Sequence, residues 1–130
     1  MPGLEHGKIC AIIACLLGNH VEAHDLGHVM SNDSAVQTGS NPDTVRGGDV
    51  IFYSYERLPR GNVPKELAPV APDLVVEVRS PSDRWNEIMV EAGEYLKAGS
   101  GPSSFSTPRP RPPPSIVTTN SNRYFTTATR

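Results

Sequence analysis

The stretch PDLVVEVRSPSD, Pro72 to Asp83, joins strand-forming residues to acids. Alternation along an extended strand sets Leu74, Val76 and Val78 on one side and Asp73, Val75, Glu77 and Arg79 on the other. A carboxylate in the middle of such a strand must face water or be compensated, because burying an unpaired charge is costly. Three compensations are open to Glu77: a solvated face, an ion pair with Arg79, or a cation shared with another acid. Asp49 is the natural second acid, at the mouth of the neighbouring strand GGDVIFYSY, where a Gly-Gly pair lets the backbone bend close. Two carboxylates from adjacent strands make an oxygen-ligand site suited to magnesium. Such a metal could activate water and stabilise charge developing on a phosphodiester. On spacing alone, an exposed strand face with ordinary ion pairs remains the plainer reading.

The elements that position these acids follow from hydrophobic period. Ile9, Ile12, Ile13, Leu16 and Leu17 carry the spacing of one helical face and predict a helix over 6–24. LGHVMSNDSAVQTG, 26–39, alternates weakly and ends in a turn-rich patch, which predicts a strand or hairpin. GGDVIFYSY is a second strand, 61–72 is a proline-bearing loop, and the opening stretch is a third strand. The SPSD segment breaks that strand and offers side-chain oxygens for a helix start. Trp85, Ile88, Ala92, Tyr95 and Leu96 then predict a helix over 85–98.

With 130 residues the chain has about the length of one domain. Composition divides it. Residues 1–99 read as an α/β domain, whereas 100–130 hold six of the 13 prolines, many Ser and Thr, and no acid, which predicts extended, disordered chain. A formal charge of -2 excludes a broad basic surface while leaving room for a locally basic cleft. Cys10 and Cys15 lie five apart in the predicted helix, hence on divergent faces, which rules out a disulfide between them and predicts a reducing, cytoplasmic setting. ICAIIACLLG is too short to span a membrane, and with Glu5 and His6 before it and no small-x-small cleavage site after it, reads as a buried helix rather than a signal peptide.

PDTVRGGDVIFYSYERLP, APDLVVEVRSPSDRWNEI and EYLKAG together resemble the Uma-two family of restriction endonucleases, a branch of the PD-(D/E)XK nuclease superfamily. The resemblance runs from about His6 to Gly99. It implies a restriction-endonuclease-like α/β fold, a mixed sheet flanked by helices, and magnesium-dependent cleavage of DNA, and it leaves room for a homodimer. Asp49 and Glu77 match the family's metal-binding acids, and Asp73, on the same strand face as Glu77, matches a further motif acid and is a lesser candidate ligand. EHG, Glu5 to Gly7, matches the usual opening of the first helix, from which His6 could approach the site, although a histidine at a helix start more often caps it or faces water.

Three departures qualify what the resemblance implies. Gly48 stands where members carry proline. Glu91 stands where a lysine would steady the attacking water or the phosphate charge, and a carboxylate there adds repulsion instead. Arg79, at the spacing of that lysine after Glu77, is the substitute the sequence offers: it cannot act as a base but could hold a phosphate, or simply pair with Glu77. Past Gly99 the family continues with a short hydrophobic strand ending in Asp-Pro, where this chain has SGPSSFSTPRP. If the serines of this segment use TCN codons, reading it one base out of register forces hydrophobic residues across 103–106 and permits Asp-Pro after them. The expectation is a partial nuclease-like domain over 1–99, incomplete at the C-terminus, followed by an out-of-frame or naturally Pro-rich tail that leaves the edge of Glu77's strand open. A non-catalytic remnant acting as a weak binding module is the alternative to an enzyme.

Overall fold

The computed structural model describes residues 3–40, 42–78, 84–99, 115–119 and 125–128. Its element order is α1 (Leu4–Ala23), β1 (Gly27–Gly39), β2 (Thr44–Ser54), β3 (Leu74–Val78), α2 (Trp85–Gly99), β4 (Ser115–Thr119) and β5 (Phe125–Ala128). The strands form one mixed sheet in the order β1-β2-β3-β4-β5. β1, β2 and β3 pair antiparallel, β3 and β4 parallel, and β4 and β5 antiparallel. α1 packs along β1, β2 and β3, whereas α2 packs on β1 and β4. Among the described residues no helix is long and apolar enough to cross a membrane.

The elements predicted over 1–99 form within a few residues of their expected bounds. Two details differ. On α1 the half-buried positions include His6, Ile9, Cys10, Ile13, Ala14 and Leu17, while Ile12 and Leu16 are exposed, so the packed face mixes Ile9, Ile13 and Leu17 with the smaller Cys10 and Ala14. Small side chains on that face let the helix lie close to the sheet. The edge of β3, expected to be open, carries β4 in parallel register, Leu74 opposite Ser115 through Val78 opposite Thr119. The segment SIVTT is rich in β-branched residues, which suit a strand beside a buried neighbour. Residues 100–114 lie outside the described residues.

The main core joins Val36, Ile51, Tyr53, Leu58 and Val75 to Tyr95 of α2, with Met30, Ala68, Val70, Ala92 and Leu96 packed around it. Val50, Val76 and Val78, also buried, alternate with these residues along β2 and β3 and so serve the opposite face. The sheet is therefore apolar on both sides, as a layer between helices requires.

Gly48 fits this core for a steric reason. A Cβ there would lie 2.5 Å from Ile51 Cγ2 and 3.4 Å from Val75 Cγ1, both on fully buried side chains. These are branched groups close to the backbone and cannot swing away. Gly48→Ala is expected to cost about 1–3 kcal/mol of stability through overpacking, measured by urea unfolding; an unchanged midpoint would show that the strand shifts freely here.

Candidate metal centre

The antiparallel ladder between β2 and β3 ends in a way that creates the site. Its register runs Phe52 opposite Leu74, Ile51 opposite Val75 and Val50 opposite Val76. One step further, the Asp49 side chain replaces backbone pairing: the Val78 N–H donates to Asp49 Oδ2 at 2.7 Å. A buried donor that would otherwise lack a partner is thereby satisfied, and the carboxylate is fixed beside Glu77. Glu77 is fixed from the other direction, with the Tyr95 hydroxyl of α2 donating to its Oε1 at 3.0 Å. The first helix closes the opposite wall, with His6 Nε2 3.4 Å from Asp49 Oδ2.

Electrostatics here are dominated by burial, with acid crowding second. Burial and then the Asp49 charge push the Glu77 carboxyl from its ordinary 4.5 up to about 8, against the opposing Tyr95 hydrogen bond. Burial and the Tyr95–Glu77 contact likewise drive the Tyr95 hydroxyl far above its usual range, so it stays a donor at neutral pH. Among the described residues, the two carboxylates thus share a space short of positive charge. A proton on Glu77 or a bound cation would relieve it, and two oxygen donors fit a hard divalent ion.

Cys10 adds a different donor. Its Sγ lies 3.6 Å from His6 Nδ1, and His6, Cys10 and Asp49 place one ligand atom each within 4.8 Å of one another, a group able to hold a metal ion. The same order of contacts resembles a Cys-His-Asp nucleophilic relay. Burial, then Asp49 and Asp33, push the thiol up to about 11, so at neutral pH it is not the thiolate that such chemistry needs. The i, i+4 spacing of His6 and Cys10 on one helix was the available signal for this pairing. Nothing in the sequence assigned Tyr95 to Glu77, because that contact spans two elements.

Asp73 stands apart from this cluster. Its Oδ2 accepts the Ser54 N–H at 2.7 Å and its Oδ1 lies 2.9 Å from Arg57 Nε, while Arg57 also donates to the Ala71 carbonyl at 3.0 Å. The structure therefore ties Asp73 to the loop before β3, four residues and about 13 Å of extended chain from Glu77. Glu91 on α2 faces Arg46 of β2 at 3.7 Å, and Arg46 makes a bidentate pair with Glu94 at 2.7 and 3.1 Å. The negative charge of Glu91 also acts on Glu77 and Tyr95, so it belongs to the rim of the site. Arg79 lies outside the described residues. Cys10 and Cys15 are both free thiols.

Two outcomes follow. Because Glu77 holds its proton more tightly folded than unfolded, its contribution is complete below about pH 4.5 and is lost as pH rises through about 8. In chelator-treated protein, stability should fall over that window by up to about 1.4 kcal/mol per pH unit, and Glu77→Gln should remove this component in thermal melts at graded pH; an identical slope in the variant would assign it elsewhere. Asp73→Asn should lower stability by about 1–3 kcal/mol through the weakened Arg57 pair while leaving magnesium affinity by calorimetry unchanged; a loss of affinity would make Asp73 a ligand.

Among curated proteins none matches the chain. Among solved structures, a crystal structure described as a putative nuclease belonging to DUF820 from Anabaena variabilis ATCC 29413 is similar over 100% of this chain and 70% of that one, with a TM-score of 0.71 and 13% identity. At that identity the likeness establishes the fold: a mixed α/β sheet flanked by helices. The Uma2 family, described as putative restriction endonuclease, matches residues 1–101. With most of its length matched, including both acid-bearing strands, the chain belongs to the Uma2 family.

Proposed function

We propose that the protein is a metal-dependent endonuclease that hydrolyses DNA phosphodiester bonds, with Asp49 and Glu77 as the ligands of a magnesium-class ion. The observation that carries this reading is the contact between two carboxylates from adjacent strands, in which burial and the Asp49 charge push Glu77 up to about 8. The chain's own groups pre-set the pair: the Val78 N–H holds Asp49 and the Tyr95 hydroxyl holds Glu77, leaving the remaining lone pairs of both for a ligand. When bound there, a divalent cation supplies an acidified water and positive charge for the phosphodiester oxygens. His6 beside Asp49 is placed to accept or return a proton at the rim.

Glu91 acts against this chemistry. A carboxylate on α2 facing the site repels a phosphate, and Arg46, shared between Glu91 and Glu94, offsets only part of that charge. Turnover should accordingly be slow and limited by this residue. In a supercoiled-plasmid assay with magnesium, nicking is expected from the parent chain, falling by about 100-fold or more in Asp49→Ala and Glu77→Ala. Glu91→Lys is expected to raise it by about tenfold or more. Nicking that survives both alanine variants would refute the site. No magnesium-dependent nicking in the parent but activity in Glu91→Lys would favour a non-catalytic remnant, and none in either would end the nuclease reading.

A further inference from the structure

The wall of the site opposite Glu77 has a chemistry of its own. His6 and Cys10 project from the same face of α1 into a cavity of about 330 Å³ that Asp49, Asn32 and Asp33 also line. Asn32 and Asp33 reach it through a β-bulge: the β1–β2 register shifts between Ser31 and Ser34, and both residues adopt the left-handed backbone region, at φ 66° and 53°. Left-handed backbone at consecutive residues other than glycine is uncommon, and bulges of this kind re-aim side chains. Gly47 makes room for the excursion, since a Cβ there would sit 3.0 Å from the Asp33 carbonyl oxygen and 3.1 Å from its Cβ. The Ser34 hydroxyl, donating to the Ser31 carbonyl at 2.7 Å, fastens the base of the bulge.

We propose that His6, Cys10 and Asp49 form a three-donor site for a thiophilic divalent transition ion of the zinc class, with the fourth position left to water or a ligand. One imidazole, one sulfur and one carboxylate are a borderline-soft set that suits zinc or cobalt better than magnesium. Binding exchanges the Cys10 thiol proton, released to solvent, for the metal–sulfur bond. The donors come from two elements, α1 and β2, so the ion would also pin the helix to the sheet. Only Asp49 is shared with the oxygen pair, and the sulfur-bearing site stands whether or not the protein cleaves DNA.

The full chain, stripped of metal by a chelator, is titrated with Co²⁺. Thiolate-to-cobalt charge-transfer absorption is expected to saturate near about one equivalent and to be displaced by Zn²⁺. Cys10→Ser should abolish the band, His6→Ala should weaken Zn²⁺ binding by at least about tenfold, and Cys15→Ser and Glu77→Gln should leave the band in place. In the unsubstituted chain, Zn²⁺ should slow alkylation of Cys10 and leave that of exposed Cys15 unchanged. Absence of the band, its survival in Cys10→Ser, or equal alkylation of Cys10 with and without Zn²⁺ would overturn the proposal.

Discussion

Two carboxylates are held against each other where the β2–β3 ladder runs out, and much of the local architecture answers that one constraint. An antiparallel ladder that ends inside a protein leaves backbone donors to be satisfied, and Asp49 does this for Val78 with its own side chain. Having been drawn in, its charge must be tolerated by everything nearby. Burial together with the Asp49 charge makes Glu77 hold its proton to about pH 8, and burial beside Glu77 keeps Tyr95 a donor. The helices on the two sides of the sheet each contribute one group, His6 from α1 and Tyr95 from α2. A buried acid pair thus couples the placement of both helices to the end of one strand ladder.

The glycines before Asp49 are part of the same constraint. Gly47 admits the Asp33 backbone of the β1 bulge, and Gly48 admits Ile51 of the core. Larger residues would force the bulge or the core outward and move Asp49 with them. Around the rim, charges are balanced locally: Arg46 is held by Glu94 and Glu91, and Arg57 by Asp73. Asp73 and Glu77 share a strand side yet serve different ends, one fastening the incoming loop, the other standing in the acid cluster. Position along the strand separates them, because only Glu77 meets the place where the ladder stops.

Much of the fold was legible in the residues themselves. Periodicity marked α1, β1, β2, β3 and α2, because each segment over 1–99 buries one face or both and its apolar spacing records which geometry does so. It misled at Ile12 and Leu16, which remain exposed because the sheet meets the stripe through His6, Ile9, Cys10, Ile13, Ala14 and Leu17 instead. It misled again over 100–130, read as disordered chain, where the five residues of β4 pair with a strand 41 positions earlier at Leu74. A short strand carries too few alternations to stand out beside a proline-rich run. The bulge was equally hidden, since neither Asn32 nor Asp33 announces a left-handed backbone within an alternating pattern.

By itself the sequence set Asp49 and Glu77 on two successive strands, since alternation is a local property of the chain. It also separated the two cysteines, since five helical positions put them on divergent faces. Only the tertiary structure decided that Asp49 caps Val78, that Tyr95 and His6 flank the acids, that Cys10 joins them, and that Asp73 does not. Each of those outcomes depends on how helices lie against a sheet, and the packing of surfaces distant in sequence has no period to read.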